Sequence, residues 1–292
     1  MEVWIFIAAL AYLLSAVAFV VDKYLLALPI PKPFTYAFWV AILSTSVLFL
    51  IPFFDIEIPN GSFLAVALVS GASFFGGLIL LYRTIQKTDV SVASTQVGVL
   101  TSIFTYVFST LILKNILPLN STAALVLLVL GMFFLGRAGK SITLNAVCAG
   151  ALIAISFVLL KWTFSTGGFI NGLFWTRIGF IGSAFLSLIS KRARREVHST
   201  AKNAPTKAKF LFVGNKLLAG GAFLLLYYSI LLGNVTIINA LLGLQFLFVF
   251  LIAIILGKKL PTIAEHTDKK TVAIKSLGIL FVLAGFLSIL IK

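Results

Sequence analysis

The sequence predicts an all-α polytopic membrane protein, ten transmembrane helices arranged as two inverted five-helix repeats. Three observations carry that prediction. Of 292 residues, 61% are apolar and only 11% charged, where soluble domains hold about half and about a quarter. The apolar residues fall in blocks of about 20, the length at which a helix reaches the roughly 30 Å of a hydrocarbon layer. Stretches of the first half also recur in the second at near-constant offset. A soluble bundle of this composition would lack polar surface to cover itself. An outer-membrane barrel would instead alternate apolar and polar residues over segments of about 10, with a charged lumen face.

The first block, Val3 to Val21, follows Glu2 and lacks the basic leader of a secretory signal. It is also longer than a signal's apolar core, so it reads as a retained span. Spans two to five are expected at Phe34 to Phe54, Ser62 to Tyr82, Val90 to Leu113 and Leu119 to Gly136. Spans six to ten follow at Ile142 to Leu160, Phe169 to Ser190, Phe210 to Leu232, Val235 to Leu256 and Val272 to Ile291. Pro29, Pro31 and Pro33 stiffen the first link, Pro59-Asn60-Gly61 makes the second, and Pro118 and Pro261 open the links after spans four and nine. The longest polar stretch, Lys191 to Lys209, is the one segment expected to be loosely ordered.

A net charge of +15 would suggest nucleic acid for a soluble chain, but here the basic residues lie at span ends. Eighteen of the 23 Lys and Arg fall in links one-two, three-four, five-six, seven-eight and nine-ten. The opposite face has Lys114, Lys161 and Lys292, and Arg177 and Lys216 lie within spans. The positive-inside rule then puts the rich face, with the 191–209 loop, in the cytoplasm of a cell-membrane protein and both termini outside. The single cysteine, Cys148, allows neither an internal disulfide nor a cysteine metal cluster.

Gly76, Leu80, Leu81, Tyr82, Ile85, Val90 and Gly98 recur 145 residues later as Gly221, Leu225, Leu226, Tyr227, Ile230, Val235 and Gly243. Phe19, Val20 and Lys23 match Phe157, Val158 and Lys161 at an offset of 138, and Phe38-Trp39 matches Phe174-Trp175 at 136. The repeats are expected at 1–140 and 141–292. An odd number of helices per repeat inverts the second copy, and inverted repeats point to a carrier with a central site between the halves.

This layout, with Phe-Val-x-x-Lys-aromatic near helices one and six and Leu-Leu-Tyr running into a polar turn, resembles the EamA-type permeases of the drug/metabolite transporter superfamily. The resemblance implies a pathway lined by helices one to four and six to nine, with five and ten outside it. It also implies cargo such as amino acids, nucleotide sugars or phosphorylated sugars. The family often has Arg in the second helix of each half; Arg177 matches in the second, but the first has Ala41. Lys114 and Lys258 stand where many members have Glu, and the usual Pro of the fourth helix is absent from both copies. Family members keep both termini in the cytoplasm, whereas the charge count here puts them outside.

Arg177 lies about 12 Å into helix seven, too deep for an end anchor; it either ties down backbone carbonyls or binds a carboxylate or phosphate of the solute. Lys216, beside Asn215, either snorkels or adds a second cationic contact. Gln96 and Gln245 can bond between helices or to solute. Tyr82, Tyr227 and Tyr228 suit an interfacial belt or the site, and Trp39 and Trp175 lie deep enough to line a cavity. Lys23 and Lys161 read as end anchors, and Asp22 could pair with a neighbour. Small residues at four-residue spacing, Gly179 with Ser183 and Ser187, Ala72 with Gly76 and Ser73 with Gly77, favour close packing within the monomer over dimerisation.

The acidic residues Asp22, Asp55, Glu57, Asp89, Glu196, Glu265 and Asp268 are all expected at edges or in links, which disfavours proton coupling through a buried carboxylate. His198 and His266 fall in basic loops. No zinc motif, phosphate-cradling loop or nucleophilic triad can be assembled, so an enzyme, a cofactor and ATP hydrolysis are not expected. The expected function is movement of a small polar solute with an anionic or zwitterionic end by alternating access, in a monomer or homodimer whose partners are that solute and membrane lipid, with no nucleic acid. The alternatives are translocation of a lipid-linked sugar and a membrane scaffold that carries nothing.

Overall fold

The computed structural model describes all residues except 1–2, 28, 31, 88–89, 137–141, 258–268 and 291–292. Among the described residues there is no strand. Helix one is Val3–Ala27; helix two runs from Pro33, at its first turn, to Leu43 and tightens into a 3-10 segment, Ser44–Leu50. Helices three, four and five are Gly61–Lys87, Val90–Leu113 and Leu119–Gly136. A rod, Leu144–Ser187, bends at Gly168, whose φ of 76° suits glycine, into helix six (144–167) and helix seven (169–187). Helix eight is Thr206–Leu232, helix nine comprises Val235–Ala240 and Leu242–Gly257, and helix ten is Lys269–Leu290. Seven of these helices, counting the bent rod once, are long and apolar enough to cross a membrane, and helices five and ten are shorter apolar ones. Among the described residues ten apolar segments result, and the chain is an all-α multi-pass membrane protein.

Helices one and three extend one to two turns past their expected ends, because Asp22-Lys23 and Arg83 do not stop them: apolar Tyr24-Leu25-Leu26 follows the first pair. The stretch expected to be loosely ordered instead forms a helix, Lys191–Asn203, with Val197 buried and Glu196 accepting a hydrogen bond from Thr35 Oγ1 at 3.3 Å. His198 is exposed on it. Lys275, counted among the link residues, is buried within helix ten against the Phe250 ring. Glu2, Pro31, Asp89, Arg137, Lys140, Lys258, Lys259, Pro261, Glu265, His266, Asp268 and Lys292 lie outside the described residues, as does the expected boundary at 140.

Helix one packs on helices eight and nine, helices three and four pack on the bent rod, and helix five packs on helix ten. Exchanging one with six, three with eight, four with nine and five with ten turns this set of contacts into itself. Glycines allow the closest crossings. A β-carbon on Gly71 would run into the backbone of Thr176 and Phe180, and one on Gly179 would lie 2.7 Å from Leu68 Cα. Gly77 and Gly76 of helix three meet Ile153 and Leu152 of helix six, so the small residues serve contact inside the monomer.

Candidate functional site

Asp22 sits inside helix one, 4% exposed, and the sequence-based expectation that it lies at an edge is corrected. Lys216 of helix eight does not snorkel: its Nζ donates to Asp22 Oδ1 at 2.6 Å and Oδ2 at 2.7 Å. Asp22 Oδ1 also accepts from Tyr36 Oη and Asn215 Nδ2, each at 2.6 Å, and Tyr82 Oη lies 3.5 Å from Oδ2. The Lys216 ammonium is ringed by Tyr36, Tyr82 and Phe212, with centroids 4.9, 5.6 and 5.8 Å away. Helices one, two, three and eight thus converge on one carboxylate, whose charge is met by a cation and several donors, as burial of an ion demands.

Arg177, half-buried in helix seven, is the opposite case. Its guanidinium lies 5.0 Å from the Tyr227 ring centroid, 5.7 Å from Phe180 and 6.0 Å from both Phe74 and Phe223. Among the described residues it has no ion pair and no hydrogen bond. Ring faces offset part of the cost of a charge, roughly 0.5–2 kcal/mol for each good contact, but they accept none of its five N–H groups. The guanidinium borders a narrow space of about 10 Å³, also lined by Ser70, Gly71, Ser156, Leu160 and Thr176, which is room for about one water. An anionic oxygen pair is the acceptor such a fork fits best.

The two clusters lie at positions related by the sequence offsets of 138 and 145. Asn215 Nδ2 donates to Ala18 O at 3.0 Å, and at the matching positions Ser70 Oγ donates to Ser156 O at 2.8 Å. Tyr82 in the first cluster matches Tyr227 in the second. Lys23 Nζ donates to Ile85 O at 2.8 Å, and its match Lys161 donates to Ile230 O at 2.8 Å and to Leu231 O and Gly233 O at 3.0 Å. Both lysines therefore bind the carbonyls that end a neighbouring helix, where the helix dipole favours a cation. The matches of Asp22 and Lys216 are Leu160 and Gly71, which line the space beside Arg177.

The other expected residues divide. Tyr82 and Tyr227 are 3% and 5% exposed and belong to the two clusters, not to an interfacial belt, whereas Tyr228 is 44% exposed. Gln96 and Gln245 are buried within helices four and nine. Trp175 lines neither cluster: its Nε1 donates to Glu57 O at 3.1 Å and so ties helix seven to the second link. Trp39 packs edge-on against Phe38, with centroids 5.6 Å apart. Sequence reading missed Tyr36, Phe212 and Gly71, and took Asp22 for a terminal residue. The apolar run after Lys23 was the signal that helix one continues. A second, open cleft of about 640 Å³ lies by Lys114, Asn115, Lys161, Trp162, Ser165 and Asn234 on the opposite face.

Comparison with known proteins gives a family and a fold. A solved crystal structure, described only as that of a protein, is 14% identical and superposes with a TM-score of 0.59 over 98% of this chain and 95% of that one. At this identity the likeness is one of fold alone. No curated protein matches the chain. Residues 2–137, just under half of the chain, match the EamA-like transporter family, so the first five helices are similar to that family.

Proposed function

We propose that the chain carries a small polar solute with an anionic or zwitterionic end across the cell membrane by alternating access, with Arg177 as its contact for a carboxylate or phosphate. The observation that carries this reading is a guanidinium half-buried between helices three, six, seven and eight with no acidic partner among the described residues. An Arg at the bilayer centre costs about 3 kcal/mol or more, and a solute anion would offset that cost only while bound. The repeat-related hydrogen bonds and the contact set that exchange of halves leaves unchanged support two inverted repeats, 1–140 and 141–292, rocking about a shared centre. The small volume beside Arg177 fits a closed form of the pathway that must widen to load.

The test is counterflow in vesicles holding purified protein, run with amino acids, nucleotide sugars and phosphorylated sugars. Arg177→Ala is expected to lower flux of the accepted solute at least tenfold, and Arg177→Lys to restore part of it, since an ammonium keeps the charge but loses the bidentate fork. Flux of an accepted anion that Arg177→Ala leaves unchanged overturns the assignment.

A further inference from the structure

We propose that Asp22 and Lys216 form an ionic lock that closes the pathway at the basic face and parts each time the carrier opens there, with Tyr36, Tyr82 and Asn215 setting its geometry. The pair joins the halves: Asp22, Tyr36 and Tyr82 come from helices one to three, and Asn215 and Lys216 from helix eight. Each residue lies within about three turns of the basic end of its helix. An opening at that face that draws helix one from helix eight parts this cluster, which joins the two helices there.

The chemistry suits a lock better than a rivet. In the dry closed form each charge depends on the other, so a partial opening without water is disfavoured. Once the face is open, water hydrates both ions and repays the lost pair. The arrangement is stable closed or fully open and unfavourable between, which is what a switch requires.

Its repeat partner shows why the two ends are unequal. Leu160 and Gly71 occupy the matching positions and supply no charge, and the cation there, Arg177, has no counter-ion among the described residues. The basic end therefore closes on its own carboxylate, whereas the opposite end closes best on a bound anion. The empty carrier rests shut at the basic face.

The lock rests on the alternating-access reading, and its test needs no solute, so its outcome is independent of the Arg177 flux assay. Spin labels on Ala27→Cys and Lys207→Cys, both exposed at the basic ends of helices one and eight, are placed in a Cys148→Ser background in lipid nanodiscs. Pulsed dipolar spectroscopy is expected to give one narrow distance with the native pair. Asp22→Asn and Lys216→Met should each add a longer distance and raise its share at least tenfold. Asp22→Lys with Lys216→Asp should return the narrow distance. Tyr36→Phe, which removes only a hydroxyl, covers the case in which a charge variant does not fold, and it should give the longer distance at a smaller share. Distributions identical to the native one in Tyr36→Phe and in every monodisperse charge variant overturn the lock, as does broadening that the charge swap leaves in place.

Discussion

Lys216 and Arg177 lie inside the bundle under opposite terms. Lys216 has an acid in contact and a ring of aromatics; among the described residues Arg177 has the aromatics alone. Losing one member of a buried pair strands the other, so Asp22→Asn or Lys216→Met is expected to cost about 3–5 kcal/mol of stability, while Asp22→Leu with Lys216→Met together should cost far less. Thermal unfolding in detergent of the two singles and the double checks this, and an additive double would contradict it. Lys161 makes a separate prediction. Its three carbonyl contacts hold the end of helix eight, and Lys161→Met should cost about 1.5–3 kcal/mol in the same assay. Arg177 was legible in the sequence as a charge at depth, while Lys216, Tyr82 and Tyr227 were legible as residues suited either to an interface or to the site. Their partners were not, because a charge near the end of an apolar block looks the same whether it faces headgroups or a counter-ion on a helix nearly 200 residues away. Trp175 shows the converse: its depth in the sequence pointed inward, yet a loop carbonyl claims its N–H.

At the level of helices the sequence was more informative, since the block length is set by the bilayer and not by tertiary partners. Helices four and five begin and end where the pattern puts them. Helix one ran on because the charges taken for its stop are satisfied by neighbouring helices, Asp22 by helix eight and Lys23 by the carbonyl of Ile85, whereas in helix three Arg83 is exposed and buried Thr84 and Ile85 follow it. Gly71 shows what spacing alone misses. It lies one residue outside the small-residue pattern noted in helix three, yet it is where the backbone of helix seven comes closest. Gly71→Ala should push helix seven off helix three and cost about 1–3 kcal/mol by overpacking, and it should also weaken transport, because Thr176 and Arg177 move with that backbone. Gly131 and Gly278 form a similar crossing between helices five and ten. Gly278→Ala should lower stability by a comparable amount and leave the solute concentration for half-maximal flux unchanged, since neither helix lines the Arg177 space. Measuring unfolding and flux on both variants separates packing from pathway.

The molecule as a whole sets its own orientation by charge, and here the basic surface and the structure bear on each other. The helix Lys191–Asn203 exposes Lys191, Arg192, Arg194, Arg195 and Lys202, with Val197 turned inward. Glu196 on this helix takes the Thr35 hydroxyl, one residue before Tyr36 of the Asp22 cluster. The most basic element thus braces the end of the bundle that carries the ion pair, and whichever compartment it faces is the one the lock closes against. Each Lys or Arg near an anionic leaflet is worth about 1 kcal/mol, so the charge excess favours the cytoplasmic side strongly. In a Cys148→Ser background, Ser199→Cys and Asn60→Cys, both exposed on opposite faces, should differ in reaction with a membrane-impermeant maleimide. Intact cells should label position 60 and spare 199, and permeabilised cells should label both. The reverse pattern would place the basic helix outside, invert the sense in which the proposed lock closes, and make the termini cytoplasmic, as the resemblance to EamA-type permeases implies.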